Sequence, residues 1–493
     1  MQVRRGAGAG FARTFMLLLV GLGAILIAAA CGSSDEEETA ATATGAATTA
    51  ATGTAAAAAT FKIGGAGIAS NPRDIAGLFK IDDGVAMFKT RPASENRDGI
   101  SKDTIKIGRH IAMTGPGAVV GPYTAAYHAI IDKVNAAGGV HGRKIDLMDR
   151  DDQFNPSIAS QVVQELVERD KVFAMYQGLG TAPTSAVFDY LNAKGVPNVF
   201  ALTGAAKFAE PTRPLYYTTS PSYIGETLAM GELIWKEKPG AKLAIVYQND
   251  DYGKDNIPGL EAIAKAKGGS VVIKLGYDIG TPDLSSQIQQ VVKSGADAVY
   301  LASYANEAVK LVKGLRETAG SKIPIYCSIV CTNTTVADGA GHANYDGVTG
   351  SITSLDAVID LANPVVQASK KIADDTKQQF LTPFLAGTLY AEHLVRALEL
   401  AGPDPTREGL ILAMDYGFDG SWTCSVCLAP TMMGPQDHWA SEAWQFVRYN
   451  GTKGAFEKVG TPIVKETSKG NGMRGNVVGF ECTDKSPCPW KKP

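Results

Sequence analysis

Residues 104–148, TIKIGRHIAMTGPGAVVGPYTAAYHAIIDKVNAAGGVHGRKIDLM, decide the fold of this chain. They open with a β-rich run and a turn at Thr114-Gly115-Pro116-Gly117. Apolar side chains then recur at helical spacing, at Ala126, Ile130, Ile131 and Val134. Gly138-Gly139 ends the helix, and Lys144 to Met148 forms a second β-rich run. A strand, a helix and a strand in this order predict a βαβ unit with two parallel strands.

The same alternation continues in two successive sets. The first set predicts strands at 172–176 and 196–202 and a helix at 184–193. The second set predicts strands at 243–247, 271–275, 298–302 and 323–327, separated by helices at 257–266, 284–292 and 307–318. Two such sets predict an α/β protein with two Rossmann-like lobes, each with a parallel-sheet core. Ligands of these sheets bind in a cleft at the carboxyl ends of the strands.

The composition excludes several classes of protein. The chain has 493 residues, enough for two or three domains, and 45% of them are hydrophobic and 20% charged, so the chain as a whole is not disordered. The formal net charge is −3 and no dense basic cluster occurs, so we predict no nucleic-acid partner. The only long apolar run is residues 14–30, which excludes a polytopic membrane protein.

Residues 1–30 have the features of a secretory signal peptide. Arginines stand at its start, an apolar run covers residues 15–30, and small residues end it. Cys31 follows directly, in a pattern that resembles a bacterial lipobox. We therefore predict that Cys31 is lipidated and anchors the protein to the outer face of the cytoplasmic membrane. A plain signal peptide and an N-terminal anchor helix are the alternatives.

Residues 31–102 are predicted to join this anchor to the folded body. The stretch 39–60 contains only Ala, Thr and Gly, which is too uniform to build a core and indicates a linker. The following lead-in, residues 61–102, either caps the body or merely precedes it.

The sequence lacks the motifs that carry common chemistries. It has no phosphate-binding G-x-x-x-x-G-K-[ST] run, no G-x-G-x-x-G after the first strand and no G-x-S-x-G nucleophile motif. None of the 6 histidines has metal-ligand spacing to another His or Cys. We therefore predict no catalytic residue, no cofactor and no metal, and we do not expect an enzyme.

After Cys31, the remaining cysteines occur as three neighbouring pairs: Cys327 and Cys331, Cys424 and Cys427, and Cys482 and Cys488. An even number in an exported protein predicts disulfides, although the sequence does not give their connectivity. A redox-active Cys424-x-x-Cys427 or a zinc site is the alternative. The redox motif normally opens a helix, and Leu428-Ala429-Pro430 is a poor helix start, so structural disulfides are favoured.

Three stretches together resemble a known family. They are Asn135 to Ile145 (NAAGGVHGRKI), Thr104 to Gly108 with Met113-Thr-Gly-Pro116, and Asn249 to Lys254 (NDDYGK). In this order they resemble the type I periplasmic solute-binding proteins of branched-chain amino-acid ABC importers, the leucine-binding-protein-like family, over residues 99–449. One departure is Val120, where the family often has a tyrosine.

The resemblance implies two lobes joined by a three-strand hinge. The first lobe would comprise residues 103–222 and 356–440, the second 223–355 and 441–460, with a tail at 461–493. The implied function is capture of a small polar or carboxylate solute, of the amino-acid class or a related organic acid, by lobe closure. A monomer that performs no chemistry would deliver this small molecule to ABC permease subunits. A ligand-sensing receptor module of the same fold is the main alternative, and a two-lobed enzyme a weaker one.

The resemblance also implies where the ligand binds. Two loops at first-lobe strand ends would hold a carboxylate through backbone N–H groups and hydroxyls, and they comprise Leu179, Gly180 and Thr181, and Leu202, Thr203 and Gly204. The threonines could instead be ordinary helix caps. Tyr252 and Tyr304 would close over the ligand from the second lobe.

The ligand itself is expected to lack an essential amine. In amino-acid binders of the family, an acid on the second lobe holds the ligand's ammonium group, and an ungapped comparison puts Ile329 at that position. A buried ammonium without an anionic partner costs several kcal/mol. We therefore predict an aromatic or aliphatic acid or amide, unless an acid elsewhere, such as Asp251 or Asp278, supplies the charge.

Overall fold

A computed structural model describes residues 72–87, 97–210, 212–318 and 322–464. Its strands are β1 (Arg73–Ile75), β2 (Phe79–Ile81), β3 (Thr104–Ile111), β4 (Lys144–Asp151), β5 (Ala174–Tyr176), β6 (Asn198–Ala201), β7 (Tyr216–Thr218), β8 (Lys242–Gln248), β9 (Ser270–Tyr277), β10 (Ala298–Ala302), β11 (Ile325–Cys327), β12 (Thr349–Ile352), β13 (Ala443–Asn450) and β14 (Ala455–Val464). Its α-helices are α1 (Gly121–Ala136), α2 (Pro156–Gln164), α3 (Thr181–Lys194), α4 (Tyr223–Glu237), α5 (Asp251–Asp255), α6 (Pro258–Ala266), α7 (Ser285–Lys293), α8 (Ala305–Glu317), α9 (Thr334–Ala340), α10 (His342–Tyr345), α11 (Pro364–Asp375), α12 (Thr382–Ala401) and α13 (Arg407–Gly417). A 3₁₀ turn, Ile329–Cys331, follows β11.

Two main sheets organise these elements. The first has the order β4-β3-β5-β6-β7, and all its strands are parallel. The second has the order β14-β13-β12-β11-β10-β8-β9; it is parallel except that β13 pairs antiparallel with both β12 and β14. The predicted α/β fold with two parallel-sheet cores is confirmed.

The chain passes between the two sheets three times. It leaves the first sheet after β7, returns after β12 to form α11, α12 and α13, and crosses again before β13. The three returning helices pack in the same core as α1 and the first sheet. Two of the crossings lie side by side, because the backbone of Thr218 bonds to His438 and Ala440. These crossings form the three-strand hinge of the fold.

The turn between α1 and β4 shows why its sequence is so particular. The Asn135 side chain accepts a hydrogen bond from the Ile145 N–H at 2.8 Å and donates one to the Ile145 carbonyl at 2.9 Å. Gly139 has φ +68°, and a Cβ there would collide with the Arg143 carbonyl. The asparagine and the second glycine are thus needed to bring α1 directly back into the sheet.

The lead-in before β3 belongs to the folded body. Ile75, Leu78, Phe79 and Ile81 are buried in the core that α1 and α12 share. The Asp82 N–H donates to Glu399 Oε1 at 2.6 Å, which ties the segment to α12. Of the two possibilities left open by the sequence, residues 72–87 therefore cap the core.

The described cysteines agree only in part with the prediction that all of them form disulfides. Cys424 and Cys427 form a disulfide. Cys327 and Cys331 are buried free thiols, so the expectation is wrong for this pair. The physical reason is that the Cys331 Sγ points to the Leu301 carbonyl at 3.2 Å. Cys31, Cys482 and Cys488 lie outside the described residues.

The ends of the chain are covered only in part. The signal peptide, the linker and residues 465–493 are outside the described ranges, whereas β14 continues past residue 460 to Val464. Within the described part of the chain, no helix combines the length and the apolar character needed to cross a bilayer.

Candidate ligand-binding cleft

The cleft begins where strands of the first sheet end. The loops after β5 and β6 run side by side, and Leu179 pairs with Leu202 through a parallel bridge. Leu179, Gly180, Thr181 and Leu202, four of the residues proposed to bind the ligand, all line the cleft. Because α3 starts at Thr181, the first turn of a helix faces the ligand space. Such a turn carries unpaired N–H donors and partial positive charge.

The shape of this wall depends on Gly180. Its backbone has φ +88° and ψ 149°, a conformation that other residues rarely adopt. A Cβ on Gly180 would also run into the ring of Phe154, which lines the cleft beside it. Phe154 is itself held by its N–H, which donates to the buried Asp152 carboxylate at 2.8 Å.

Two predicted ligand contacts lie one layer deeper than expected. Thr203 is fully buried and does not line the cleft; its Oγ1 lies 2.7 Å from Thr181 Oγ1. Gly204 lies behind the wall, where its carbonyl accepts the Tyr223 N–H at 3.0 Å. The loop after β6 therefore presents only Leu202 directly, and Thr203 orients the hydroxyl of Thr181.

Both predicted tyrosines of the second lobe line the cleft. The Tyr252 hydroxyl lies 2.6 Å from Ser328 Oγ and donates to the Ser303 carbonyl at 3.3 Å. Burial raises the pKa of Tyr252, so its hydroxyl stays protonated. Tyr304 stands directly before α8, and its ring packs on Phe154 of the other lobe with centroids 4.7 Å apart. This pair bridges the two walls.

Sequence reasoning missed three further tyrosines in the lining: Tyr123, Tyr223 and Tyr390. Tyr123 stacks on Tyr390 at 6.0 Å, and Tyr223 meets Tyr252 edge-on at 5.0 Å. Tyr123 lies one helical turn after Val120, so the loop that lacks the family tyrosine is followed by another. The position of Tyr123 near Val120 could have indicated this residue from the sequence. No local sequence pattern indicated Tyr390, which lies inside α12.

No charged side chain lines the cleft in the part of the chain that the structure describes. Its remaining polar lining consists of hydroxyls and amides: Ser220, Gln248, Thr332, Asn333, Thr335, Thr353, Ser354 and Thr382. Gln248 is buried and donates to Asp250 through its Nε2 at 2.7 Å, while its Oε1 has no partner. A buried amide oxygen without a partner is costly, which indicates that a donor from a ligand or water meets it.

The acids proposed as alternatives are turned away from the cleft. Asp251 forms an exposed ion pair with Lys207 at 2.9 Å, and Asp278 accepts a hydrogen bond from Asn249. Neither lines the cleft.

Ile329 does line the cleft, and a carboxyl lies behind it. The Ile329 N–H donates to Glu226 Oε1 at 2.6 Å, and the Ser351 hydroxyl donates to the same oxygen at 2.5 Å. Burial raises the pKa of Glu226 to about 7. Both donors meet Oε1 of this carboxyl, whereas its buried Oε2 has no hydrogen-bond partner. Glu226 is not among the residues that line the cleft.

Comparison with known proteins agrees with this architecture. The sequence profile described as periplasmic binding protein matches residues 104–455. A Leu/Ile/Val-binding protein homolog 8 of Brucella abortus (strain 2308) is 27% identical over 276 residues, which cover 53% of this chain and 67% of the relative. The Leu/Ile/Val-binding protein of Escherichia coli (strain K12) is 27% identical over 273 residues, 52% of this chain and 72% of the relative.

Solved structures share the fold. The fatty acid ABC transporter substrate-binding protein from Thermomonospora curvata superposes with a TM-score of 0.67 at 23% identity, over 76% of this chain and 95% of that one. A branched chain amino acid ABC transporter protein from Thermus thermophilus, with bound valine, superposes with a TM-score of 0.66 at 20% identity. The superposition covers 74% of this chain and 97% of that one. The relatives are named as binding proteins of transporters, not as enzymes. With its profile match and its two parallel-sheet cores, this chain belongs to the periplasmic binding protein family, as a type I protein of the leucine-binding-protein-like kind.

Proposed function

We propose that this protein is an extracytoplasmic lipoprotein that captures a small carboxylate solute without an essential amine and delivers it to an ABC importer. The observation that carries the proposal is the uncharged, tyrosine-rich cleft between the two sheets. Such a cleft can bind and bury a solute that carries one carboxylate. It offers no ionised side chain to pair with a second charged group, such as an ammonium, on that solute.

Capture would occur by closure of two lobes, residues 103–222 with 356–440 and residues 223–355 with 441–460. Tyr304 and Phe154 meet across the cleft, so a bound solute would be covered from both sides. Because only the closed form contacts the solute from both lobes, binding would stabilise closure. The closed pair of lobes would then be the form that the permease subunits recognise.

The solute's carboxylate would bind at the first wall. Thr181 offers its hydroxyl there, and the first turn of α3 offers backbone N–H groups and partial positive charge. Thr203 would hold the Thr181 hydroxyl in place through its 2.7 Å contact. A single anionic head group needs nothing more than this set of donors.

The rest of the solute would be aromatic or aliphatic. Phe154, Leu179, Leu202, Ile329, Val330 and Ile352 give the cleft an apolar surface beside its tyrosine rings. A buried ammonium would lack an anionic partner here and would cost several kcal/mol. Under this proposal the solute would resemble the fatty acid that names the Thermomonospora curvata protein more than the valine bound to the Thermus thermophilus protein.

The location of the protein rests on the sequence. A signal peptide at residues 1–30 and lipidation of Cys31 would place a monomeric body outside the cytoplasmic membrane, on the linker 39–60. In the Cys31→Ser variant, the protein should be released from the membrane or remain unprocessed. A variant that is processed and still bound to the membrane would contradict the anchor.

Native mass spectrometry of the purified soluble body tests the ligand class without a prior choice of compound. We expect a copurifying organic acid that lacks an amine and that is released on unfolding. Copurification of an α-amino acid at full occupancy would contradict the proposal.

A further inference from the structure

Three possible metal ligands lie together outside the cleft. Nε2 or Nδ1 of His393 and the sulfurs of Cys424 and Cys427 are all within 4.8 Å of one another. His393 lies on α12, and the two cysteines lie in the segment that follows α13. In the structure the two sulfurs are joined as a disulfide. The solute-binding function makes no use of this cluster.

One ring nitrogen of His393 keeps a lone pair that can bind a metal. Its Nδ1 lies 2.7 Å from the Leu389 carbonyl, which can only accept, so Nδ1 carries the proton and Nε2 keeps its lone pair. A backbone carbonyl in this role fixes the tautomer of many metal-binding histidines. Nε2 lies 2.9 Å from the Thr431 hydroxyl, which donates a hydrogen bond to it. If this hydroxyl rotates away, a cation can take the place of its proton.

The surroundings keep the imidazole in place. Phe200, Phe418 and Trp422 contact its ring, with centroids 5.3, 6.1 and 5.1 Å away. These rings fix the orientation of the imidazole.

The cysteines give the cluster an opening to solvent. Cys424 is buried, whereas Cys427 is half-buried. A cation could therefore enter past Cys427 and keep a water molecule as a further ligand. Two thiolates, one imidazole and one water form a tetrahedral set that Zn²⁺ accepts.

We propose that His393, Cys424 and Cys427 form a site for a borderline-soft divalent cation, with Zn²⁺ as the reference ion, when the Cys424–Cys427 disulfide is reduced. A thiolate of a dithiol reductant attacks one sulfur, breaks the S–S bond and forms a mixed disulfide. The second thiol of the reductant then releases the protein thiol and becomes a disulfide itself. Two electrons and two protons reach the protein, and Zn²⁺ binding to the two sulfurs releases those two protons.

The site would adjoin the cleft wall. Cys427 pairs with Ser354 through an antiparallel bridge, and the Leu355 N–H donates to the Val426 carbonyl at 2.9 Å. Ser354 lines the cleft. The oxidised and the metal-bound states of the cluster would thus both contact the segment that crosses from β12 to α11. Cation binding itself requires no solute.

The test uses the full mature chain with Cys31→Ser, Cys482→Ser and Cys488→Ser, so that only the described thiols remain. The protein is reduced with dithiothreitol, which is then removed without oxygen, and is titrated with Co²⁺ as a spectroscopic probe. We expect one Co²⁺ per chain with thiolate-to-cobalt charge-transfer absorption, displacement by Zn²⁺, and no uptake by the oxidised protein. Equal uptake by the oxidised and reduced proteins, or no uptake by the reduced one, would overturn the proposal.

Variants identify the ligands. Cys427→Ser and His393→Gln should each weaken Zn²⁺ binding by at least about tenfold. Mutation of residues that only hydrogen-bond to metal ligands already lowers metal affinity by that much. Cys331→Ser, which removes a buried thiol outside the cluster, is the matched control and should bind as the parent does. If His393→Gln does not fold, Cys427→Ser decides the question. The Cys427 side chain is half-buried, so its replacement by serine should leave the protein folded. Unchanged Zn²⁺ affinity in Cys427→Ser would overturn the site.

Discussion

The two walls of the cleft are built in different ways. The first-lobe wall consists of backbone loops at strand ends, where Gly180 and Thr181 present N–H groups and a hydroxyl. The second-lobe wall consists of large side chains, of which Tyr252 and Tyr304 are the main ones, together with Ile329. Under the proposed function, the first wall would bind the carboxylate of the solute and the second wall would select the rest of it.

The largest effect is expected when the first wall is filled. In Gly180→Ala, the new Cβ would collide with the Phe154 ring, and the backbone would be held in a conformation that costs about 1–3 kcal/mol for a non-glycine residue. We expect loss of measurable solute binding by calorimetry, together with a lower melting temperature.

Gly195→Ala is the matched control for this variant. Gly195 also has positive φ, +62°, but a Cβ there meets nothing within 4 Å. The control should lose about 1 kcal/mol of stability and bind the solute normally. If both variants bind equally well, Gly180 does not shape the ligand space.

Removing an aromatic group from the second wall should weaken binding less. Tyr252→Ala removes a buried ring from the cleft and should cost about 1–3 kcal/mol of binding free energy. Tyr416→Ala, which removes an exposed ring that is not among the lining residues, should leave the affinity unchanged. An unaltered dissociation constant for Tyr252→Ala would remove this residue from the binding site.

The second wall should also respond to pH through Glu226. Its folded pKa, about 7, is raised above the unfolded value of 4.5 because burial disfavours the ionised form. The stability that this group contributes is therefore full below pH 4.5 and is lost as the pH rises towards 7. Glu226→Gln keeps an oxygen for the Ile329 and Ser351 donors and cannot ionise.

Denaturant unfolding of both proteins at pH 5 and pH 8 measures this effect. Relative to the wild type, Glu226→Gln should be more stable at pH 8 than at pH 5, by about 1–3 kcal/mol. A difference between the proteins that does not vary with pH would show that Glu226 does not titrate in this range.

The smallest effect separates the two threonines of the first wall. Thr181→Val removes a hydroxyl from the lining and should weaken solute binding by about 1 kcal/mol. Thr203→Val removes the buried partner, so it should lower stability more than affinity. Equal losses of affinity in the two variants would mean that Thr203 contacts the solute directly.

The sequence predicted the sheets well because their strands and helices alternate with clear periods. The strand Ala298–Ala302 matches its prediction fully. The loops at Gly180 and Leu202 were implied by the family resemblance, and they lie beyond predicted strand ends. Helix α12 escaped prediction because all its residues except Thr382 and Arg396 are buried, which leaves no polar face and no helical period. Tyr390 was missed with it.

The depth of a residue within a loop was also beyond the sequence. Thr181 and Thr203 both follow the carboxyl ends of neighbouring strands, yet only Thr181 reaches the cleft surface. Strand β12, with the sequence Thr-Gly-Ser-Ile, carries little β signal, so the lining at Ile352 and Ser354 that follows from it was not predicted. Both depend on how the lobes pack, which no local pattern encodes.

Calorimetry with matched ligands tests the central claim most directly. Leucine and its deaminated keto acid share a carboxylate and a side chain and differ only in the amine. Because no charged group among the described residues lines the cleft, the account predicts that the keto acid, or a simple aromatic or aliphatic acid tested beside it, binds more tightly than leucine. Submicromolar binding of leucine with a much weaker keto acid would contradict the account and assign this protein to amino-acid import.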